Sequence, residues 1–460
     1  MKIDDLHPDY NHRIAQWTRC RAAFDGGDAI KEGGELYLPR LPGQSDTEYA
    51  AYKMRAIWYD ACHATLDLYT GMVFSKAVQY TGIDPADPLV TDADMAGKPF
   101  SEVMESALDD VIKFGRYGVL VDFSGQVPPG TSKKNAAKLE ARPYCAAYSC
   151  FDIRNWHSSR INGHMMLDSL ILSEGDKKRR WLILGDSGFH AQVWIETEAS
   201  DATGKKIWTM ESDIQPLFNG KPMKFIPFFF FDAEYGFCKC ATPPLLGLVD
   251  INLSHYRTMA DLEHGRFFCG LPTPIFSGFN FKEGEKISLG SMSGISGPAD
   301  AKASYLEFTG TGLAALEKAA AQKEDWLSHL GGGLLNPGTT GAEAAETMKI
   351  RRSGANATLA SIASAVSMVG TKVLSLMSQW AGGGEVSVQL NTEFLPASVS
   401  PQEIDSLLKA VQSGDFRRLD FIKRLQVAGI IGQGEDAERI NTELGPVDQG
   451  TLNPIGGFNA

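Results

Sequence analysis

Residues 244–270 read PLLGLVDINLSHYRTMADLEHGRFFCG, and they predict a long helix that begins just after two prolines. From Leu245 to Gly270 this helix would be roughly 39 Å long, at about 1.5 Å per residue. A second helix is predicted over Leu313–Leu330, and residues 271–310 between the two are rich in Gly, Pro and Ser, which indicates a small β or loop insertion. Because both helices flank one insertion, we expect an antiparallel pair that carries the insertion at one end.

A glycine-rich segment follows the second helix and leads into a longer one. Residues 331–341 read GGGLLNPGTTG, and the helical pattern after them runs over residues 341–380. The segment contains no charged residue, and its apolar side chains are Leu334 and Leu335. We therefore expect a mobile loop with apolar tips between two helices.

The same segment nearly matches the phosphate-binding loop of nucleotide hydrolases. Gly333 is followed, after four residues, by Gly338, Thr339 and Thr340. That fingerprint requires a lysine to reach the β and γ phosphates, and Thr339 stands at its position, so nucleotide binding is disfavoured. Thr340 and Glu343 instead have the spacing of a capping box, which predicts a flexible linker that ends where the long helix begins.

The rest of the chain mixes helical and strand patterns, so the predicted fold class is α+β. Residues 45–48 form a capping box that opens a helix with apolar residues as far as Tyr69. A helix over 101–114 precedes a short buried strand over 117–122. Alternating and β-branched runs from about residue 143 to residue 231 predict an antiparallel meander.

The C-terminal part is predicted to contain a strand and short helices. Within the long helical pattern, Gly354 and Gly370 are the expected bend points. A strand is predicted over 385–390, and the turn-rich residues 446–460 are expected to be mobile. Three short helices are predicted to begin near Ser400, Asp415 and Asp436.

Composition and charge narrow the functional class. The chain has 460 residues, of which 43% are hydrophobic and 22% charged, as is ordinary for a folded protein of two or three domains. A net charge of −12 disfavours tight, salt-dependent binding to nucleic acid, because such binding relies on basic side chains. The seven cysteines are scattered, which favours reduced thiols. No window approaches the run of about 18 apolar residues that a membrane span needs, so we expect no membrane partner.

One candidate calcium site is incomplete. Asp92, Asp94 and Gly97 resemble the beginning of a calcium-binding loop. Ala96 and Val103, however, stand where oxygen ligands belong, so calcium binding is disfavoured.

Other motifs that could carry chemistry have simpler explanations. Residues 185–188, GDSG, resemble a serine-hydrolase signature, but they lie between two strand patterns and are better explained as a hairpin turn. Cys238 and Cys240 lack a second sulfur pair at zinc spacing, and His255 and His264 are more than two turns apart on one helix. We therefore predict no catalytic residue, no metal site and no cofactor.

Basic residues near the start of the long helix are the other candidate binding feature. Lys349, Arg351 and Arg352 lie on its first turns, just after the glycine-rich segment. They could approach a phosphate backbone, or they could pair with Glu343 and Glu346 on the same helix, and the spacing does not distinguish the two.

Five stretches of the sequence, spread over residues 37–380, resemble segments of one protein family and occur in the same order as they do there. The stretches are YLPRLPGQSDTEYAAYKMRAIWYDACHATLDLYTGMVF (37–74), FGRYGVLVDF (114–123), DIRNW (152–156), LVDINLSHYRTMADLEHGRFFCGLPTPIFSG (248–278) and ETMKIRRSGANATLASIASAV (346–366). Together they resemble the portal proteins of tailed bacteriophages, in a branch formerly labelled as a domain of unknown function. The resemblance implies a portal-protein fold that assembles as a ring, usually a dodecamer, at one vertex of the capsid.

The resemblance also implies how the chain divides into parts. The implied parts are a wing (1–242), a stem helix (243–268), a clip (269–312), a second stem helix (313–330), a tunnel loop (331–340), a long wing helix with a strand (341–395), a crown (396–445) and a flexible tail (446–460). The residues implied to face DNA in the tunnel loop are Gly333, Leu334, Leu335, Asn336, Pro337, Gly338 and Thr339. The candidate phosphate contacts are Lys349, Arg351 and Arg352.

The implied function is structural and not enzymatic: a channel for genome packaging and ejection. The implied partners are further copies of the chain, double-stranded DNA, the large terminase subunit, a tail adaptor, the major capsid protein and, as an additional candidate, a scaffolding protein. The location would be the portal vertex of the virion, reached from the host cytoplasm during assembly. Two alternatives stay open, another ring component such as a tail adaptor or minor capsid protein, and a packaging NTPase, which would need the missing phosphate-loop lysine.

Overall fold

The protein is a mixed α+β structure, as predicted, and its chain divides into two compact units, Met1–Thr392 and Glu393–Ala460. The computed structural model describes residues 2–125, 141–161, 163–198, 206–233, 239–270, 273–279, 297–306, 312–331, 342–394, 401–427, 431 and 437–443. The helices are α1 (Pro8–Asp25), α2 (Gly27–Glu32), α3 (Asp46–Arg55), α4 (Ala61–Val73), α5 (Pro88–Thr91), α6 (Phe100–Phe114), α7 (Leu246–Gly270), α8 (Leu313–Leu330), α9 (Ala342–Trp380), α10 (Pro401–Ser413), α11 (Arg418–Val427) and α12 (Ala437–Glu443).

The strands are short and antiparallel. They are β1 (Gln79–Thr81), β2 (Arg116–Phe123), β3 (Pro143–Ser149), β4 (Ile153–Ile161), β5 (His164–Ser173), β6 (Lys178–Gly185), β7 (Gly188–Glu198), β8 (Lys206–Ile214), β9 (Leu217–Phe218), β10 (Lys221–Pro222), β11 (Phe228–Asp232), β12 (Thr273–Ser277), β13 (Lys302–Leu306) and β14 (Ser387–Gln389).

Helix α6 and strand β2 are both largely buried in the first unit. Eight of the fifteen residues of α6 are buried, at spacings of mostly three and four residues, which places them on one face. The helix ends at Gly115, which adopts a left-handed φ of 81°. A Cβ atom at Gly115 would lie 3.1 Å from the carbonyl oxygens of both Ala241 and Thr242, so the turn into β2 requires glycine.

The predicted meander is confirmed for its middle part. Strands β4 to β8 form a five-stranded antiparallel sheet in sequence order. The strands at either end of the predicted region, β3 and β11, do not join it but pair with β2 in a three-stranded sheet of order β11-β2-β3. These pairings join segments that are far apart in the chain, which local patterns do not encode.

The single helix predicted to reach Tyr69 is two helices. The capping box of Ser45 and Glu48 is present, as predicted, but α3 ends at Arg55 and Ala56 is extended, with φ −61° and ψ 132°. The chain contains no glycine or proline at this break. The packing of the residues that follow explains the break instead.

Those residues, Trp58 and Tyr59, contact α7. The ring centroid of Trp58 lies 5.8 Å from that of Tyr256, and the ring centroid of Tyr59 lies 5.5 Å from that of His255. A continuous helix would point successive side chains 100° apart, whereas here two neighbouring aromatic rings both reach α7. Tertiary packing thus overrides the local helical pattern.

The long helix α9 has 39 residues and packs against α6. Gly370, a predicted bend point, has a different role, because a Cβ atom there would lie 2.3 Å from the Sδ atom of Met104. Glycine lets the two helices approach closely. Three hydroxyls one turn apart on α9, those of Ser367, Thr371 and Ser375, accept hydrogen bonds from backbone N–H groups in and beside β14.

The expectation that no window reaches the apolarity of a membrane span was wrong for α9. Its part Asn356–Trp380 is long and apolar enough to cross a membrane by length and composition, and half of its most apolar stretch is buried inside the protein. The buried residues include Val366, Leu374 and Met377. The apolar character of α9 is thus accounted for by core packing within the first unit.

The second unit contains the three short helices α10, α11 and α12. Their positions agree within a few residues with the predicted ones. Ile422 of α11 and Ala437 of α12 are buried, and these two helices contact each other. The predicted capping box at Ser400 lies outside the described residues.

Candidate functional site: the helix pair and its hairpin

Helices α7 and α8 form the antiparallel pair that the sequence predicts. His255 Nε2 lies 3.3 Å from Glu324 Oε1, and Arg266 donates to Glu317 Oε1 at 2.9 Å. As residue numbers rise along α7, the numbers of their partners on α8 fall, so the helices run in opposite directions. Between them the chain forms the two-stranded antiparallel hairpin β12–β13. The predicted arrangement of two helices with a small insertion is confirmed.

Helix α7 is anchored to the first unit along most of its length. It packs against α1, α3 and α4 as well as α8. The hydroxyl of Tyr52 on α3 donates to Asp261 Oδ1 at 2.6 Å, and Arg257 Nε donates to the carbonyl oxygen of Tyr37 at 2.8 Å. These contacts fix the direction in which the helix pair leaves the body of the unit.

Helix α8 lies close against α7. A Cβ atom at Gly265 would lie 2.6 Å from Leu313 Cδ2, so this glycine leaves space for the beginning of α8. Lys323 Nζ donates to the carbonyl oxygen of Ser254 at 3.1 Å and to the hydroxyl of Thr258. Burial lowers the pKa of Lys323 from its usual value. The lysine therefore connects the middle of α8 to two polar groups of α7.

Several polar atoms of α7 are buried. His255 is only 2% exposed, and burial lowers the pKa of its imidazole although Glu324 opposes that shift. In the described part of the chain, His255 Nδ1, Asn252 Oδ1 and the Tyr256 hydroxyl have no hydrogen-bond partner. The three residues lie within about one turn of the helix, and burial raises the pKa of Tyr256 to about 12. Such unpaired groups cost free energy, so this stretch is held by the packing around it.

Large apolar side chains are exposed at several places along the helix pair and on the hairpin. Arg55 covers one of them, with its guanidinium carbon 4.1 Å from the ring centroid of Phe267. Clusters of exposed apolar side chains typically mark contacts with other proteins. The exposed side chains are those of Phe267, Phe268, Ile275, Tyr305, Trp326 and Leu330.

The pair carries little net charge. Helices α7 and α8 contain six acidic and four basic residues, a net charge of −2 with histidine neutral. Tight binding to DNA phosphates would require an excess of lysine and arginine. The described surface of the helix pair therefore lacks the excess of basic side chains that tight binding to DNA phosphates requires.

The residues predicted to meet DNA are not tested by the structure. Helix α8 ends at Leu330, where the N–H of Gly331 bonds to the carbonyl oxygen of Leu327 at 2.8 Å, so the predicted loop begins where the helix ends. The remainder of that loop lies outside the described residues. It includes Gly333, Leu334, Leu335, Asn336, Pro337, Gly338 and Thr339.

Lys349, Arg351 and Arg352 lie on α9, but their side chains are outside the described residues. Whether they pair with Glu343 and Glu346 or face another group is thus left as a prediction.

The incomplete calcium motif has a structural explanation. Asp92 Oδ1 accepts from the N–H of Gly97 at 2.7 Å, and Asp94 Oδ1 accepts from the N–H of Ala96 at 2.8 Å. Arg142 donates to the other carboxylate oxygen of Asp92 at 2.5 Å. These carboxylates stabilise a turn. Within the described ranges, no group of three or more His, Cys, Asp and Glu side chains is placed to hold a metal ion.

The family comparison covers the helix pair and the long helix. A family model described as a domain of unknown function (DUF4055) matches residues 244–381, which span α7 to α9 and are less than a third of the chain. The description names no activity. No curated protein matches the chain.

Among the solved structures that are similar to the chain, three illustrate the level of likeness, all at low sequence identity. A chain titled as the neck of an empty gene transfer agent (GTA) particle, computed with C6 symmetry, has a TM-score of 0.39 and 12% identity over 86% of this chain and 99% of its own. A chain from the virion of a native GTA particle has a TM-score of 0.38 and 13% identity, over 84% and 95%. A chain from the neck of a native GTA particle has a TM-score of 0.37 and 11% identity, over 86% and 98%. These TM-scores are too low for the likeness to decide the function of the chain.

Proposed function

We propose that the protein is a subunit of a portal-type ring, the channel through which the genome of a phage-like particle is packaged and ejected. The observation that carries this proposal is the antiparallel pair α7 and α8 with the hairpin β12–β13 between them, followed by the long helix α9. This is the order of stem, clip, second stem helix and wing helix that the sequence resemblance implies.

In this proposal the helix pair is the stem and the hairpin belongs to the clip. The exposed apolar side chains near the hairpin, such as Ile275 and Tyr305, would then contact proteins that dock at the clip, first the terminase and later the tail adaptor. The anchoring of α7 by Tyr52 and Arg257 would hold the stem at a fixed angle to the wing.

The charge of the chain suits a conduit that DNA must pass without being held. Twelve copies at −12 each would carry about −144, which repels DNA from most of the surface. The stem helices at a net −2 offer no strong phosphate-binding surface. Residues 331–341, which contain no charged side chain, would meet the duplex without forming salt bridges.

The first test is native mass spectrometry of the purified protein, with negative-stain images of the same sample. We expect a closed ring near twelve copies, about 600 kDa for a subunit of 50.0 kDa, with an axial channel wide enough for a DNA duplex. A stable monomer or dimer across several ionic strengths would contradict the proposal. A ring too short to contain a stem would favour the alternative of a tail adaptor or minor capsid protein.

The second test addresses DNA passage. Lysines in place of Leu334 and Leu335 should slow packaging or retention of DNA, because they add charges that bind phosphates. Unchanged length and rate of packaged DNA would exclude the tunnel-loop role. ATP hydrolysis by the purified protein alone would instead favour the packaging-NTPase alternative.

A further inference from the structure

A serine, a histidine and an aspartate are hydrogen-bonded in series on the meander sheet. Ser187 lies in the two-residue turn between β6 and β7, His190 lies on β7 and Asp213 lies on β8. Ser187 Oγ is 2.8 Å from His190 Nε2, and His190 Nδ1 is 3.2 Å from Asp213 Oδ1. An imidazole whose Nδ1–H donates to a carboxylate has a lone pair free on Nε2, and here that lone pair faces a serine hydroxyl.

Further hydrogen bonds orient the three side chains. Gln192 Nε2 donates to the second carboxylate oxygen of Asp213 at 3.1 Å, and Trp194 Nε1 donates to Gln192 Oε1 at 3.2 Å. Gln215 Nε2 donates to the backbone carbonyl oxygen of Ser187 at 2.9 Å. The carboxylate and the turn are therefore each held by a separate amide side chain, which preserves the geometry at the hydroxyl.

The turn itself is fixed by close packing. Gly188 has φ 122°, and a Cβ atom there would lie 2.8 Å from the carbonyl oxygen of Met223. The N–H of Phe189 donates to that same oxygen at 2.8 Å. Glycine at 188 thus lets the turn pack directly against the backbone at Met223, next to β10. This contact fixes the position of Ser187.

The array is open to solvent. Ser187 is exposed, and the side chains of His190 and Asp213 are 28% and 35% exposed. A small molecule from solution can therefore reach the hydroxyl. The GDSG turn was predicted from sequence, but His190 and Asp213 were not connected with it, because Asp213 lies on another strand.

We propose that Ser187 is an activated nucleophile that accepts acyl groups from small activated esters, with His190 as its general base and Asp213 as a positioning residue. Ser187 Oγ bonds to the ester carbonyl carbon while its proton moves to His190 Nε2. The bond between that carbon and the alcohol oxygen then breaks, and the leaving oxygen takes the proton from His190. The product is an ester of Ser187.

Hydrolysis of that ester follows the same route. A water molecule attacks the carbonyl carbon and gives a proton to His190 Nε2, the bond to Ser187 Oγ breaks, and the proton returns to the serine. Because the site is open, the reactivity of the ester and not its shape should set the rate. This activity is independent of the proposed channel role and is expected in a monomer as well as in a ring.

The test uses p-nitrophenyl acetate and the full-length protein. p-Nitrophenol release is followed by absorbance, and the acetylated residue is located by peptide mass spectrometry. We expect acetylation of Ser187, loss of that adduct in Ser187→Ala, and a rate at least about tenfold lower in His190→Gln.

Matched variants separate the roles. Asp213→Asn, which keeps size but not charge, should lower the rate, and Asp213→Glu should restore part of it, a pattern that loss of a merely structural contact would not give. The control is His157→Gln, because His157 Nδ1 makes a similar contact with Asp168 Oδ1 at 2.8 Å on the same sheet. It should leave the rate unchanged.

Two results would overturn the proposal. The first is p-nitrophenol release at the wild-type rate from a folded Ser187→Ala variant, with folding checked by circular dichroism. The second is an acetyl group that maps to a lysine or cysteine and not to Ser187. Retained labelling in Ser187→Cys, with a thiol at the same place, would support the assigned geometry.

Discussion

Helices α7 and α8 are neighbours in an antiparallel pair, yet they are stabilised in different ways. Nine residues of α7 are buried, and they lie on several sides of the helix because α1, α3, α4 and α8 all pack against it. In α8 the buried residues are three, Ala320, Leu327 and Ser328. One helix is held by the core of the unit, and the other is held chiefly by its partner.

The two sequences differ accordingly. Helix α8 reads LAALEKAAAQKEDWLSHL and consists largely of Ala, Leu, Glu, Lys and Gln, the residues with the highest helix propensity. Helix α7 contains asparagine, histidine, tyrosine and threonine at buried positions, which favour a helix less. A helix with little packing needs strong propensity, whereas an enclosed helix can carry residues chosen for their contacts.

The largest expected effect compares one aromatic side chain on each helix. Tyr256 of α7 is 0% exposed, and Trp326 of α8 is 43% exposed. Tyr256→Ala should lower the free energy of unfolding by about 3–5 kcal/mol, because it leaves a cavity in the core. Trp326→Ala should cost about 1 kcal/mol or less. Urea unfolding followed by circular dichroism measures both.

Equal losses from the two substitutions would contradict the comparison. A large loss of stability in Trp326→Ala that appears only in the assembled ring would show that another subunit covers this face of α8. The measurement is therefore made at protein concentrations above and below the one at which the ring assembles.

The second effect concerns the hydrogen bond that anchors α7 to α3. Tyr52→Phe removes the hydroxyl that donates to Asp261 while keeping the ring, which is 2% exposed. Because the acceptor is a carboxylate and the contact is partly buried, we expect a loss of about 1.5 kcal/mol in the free energy of unfolding. Tyr305→Phe on the exposed hairpin is the matched control and should change nothing measurable. An unchanged stability in Tyr52→Phe would mean that ring packing alone anchors α7.

The parts of the fold that follow from local patterns could be predicted from sequence. The bounds of α8 agree with the prediction, and so do the capping box at Ser45 and the turn at residues 185–188. Each of these is determined by residues within a few positions of one another.

The parts that depend on distant partners could not be predicted. The break after Arg55 exists because Trp58 and Tyr59 pack on α7, and β1 pairs with β14 across most of the first unit's sequence. Gly370 was read as a bend and is a point of contact with Met104. The series from Ser187 to Asp213 likewise depends on strand register, which one sequence does not reveal.

The third effect is on pH dependence at the interface of the two helices. Burial lowers the pKa of His255, so as pH falls the unfolded chain takes up a proton before the folded one does. The stability that neutral His255 contributes should therefore be complete above the pKa of an ordinary histidine, and it should be lost as pH falls through the lowered pKa. His255→Gln should flatten this decline between about pH 7 and pH 5 in chemical denaturation.

Glu324→Gln removes the carboxylate that favours protonated His255, and it should make the decline at low pH steeper. A slope that is the same in the wild type and in His255→Gln would show that other groups govern the acid sensitivity of the pair.

The smallest expected effect is at the exposed end of the pair, where Arg266 bonds to Glu263 at 2.8 Å and to Glu317 at 2.9 Å. All three side chains are accessible to water, so solvent screens the attraction and the ordering of long side chains opposes it. Arg266→Ala should therefore destabilise the chain less than Tyr52→Phe does, and its difference in stability from the wild type should vanish at high salt. A double-mutant cycle with Glu317→Ala measures the interaction energy between the two side chains. A loss that persists at high salt would mean that this end is shielded from water in solution. Since the single chain leaves it open, the shielding would have to come from another copy or from a partner at the hairpin, which is the surface that the proposed clip would use.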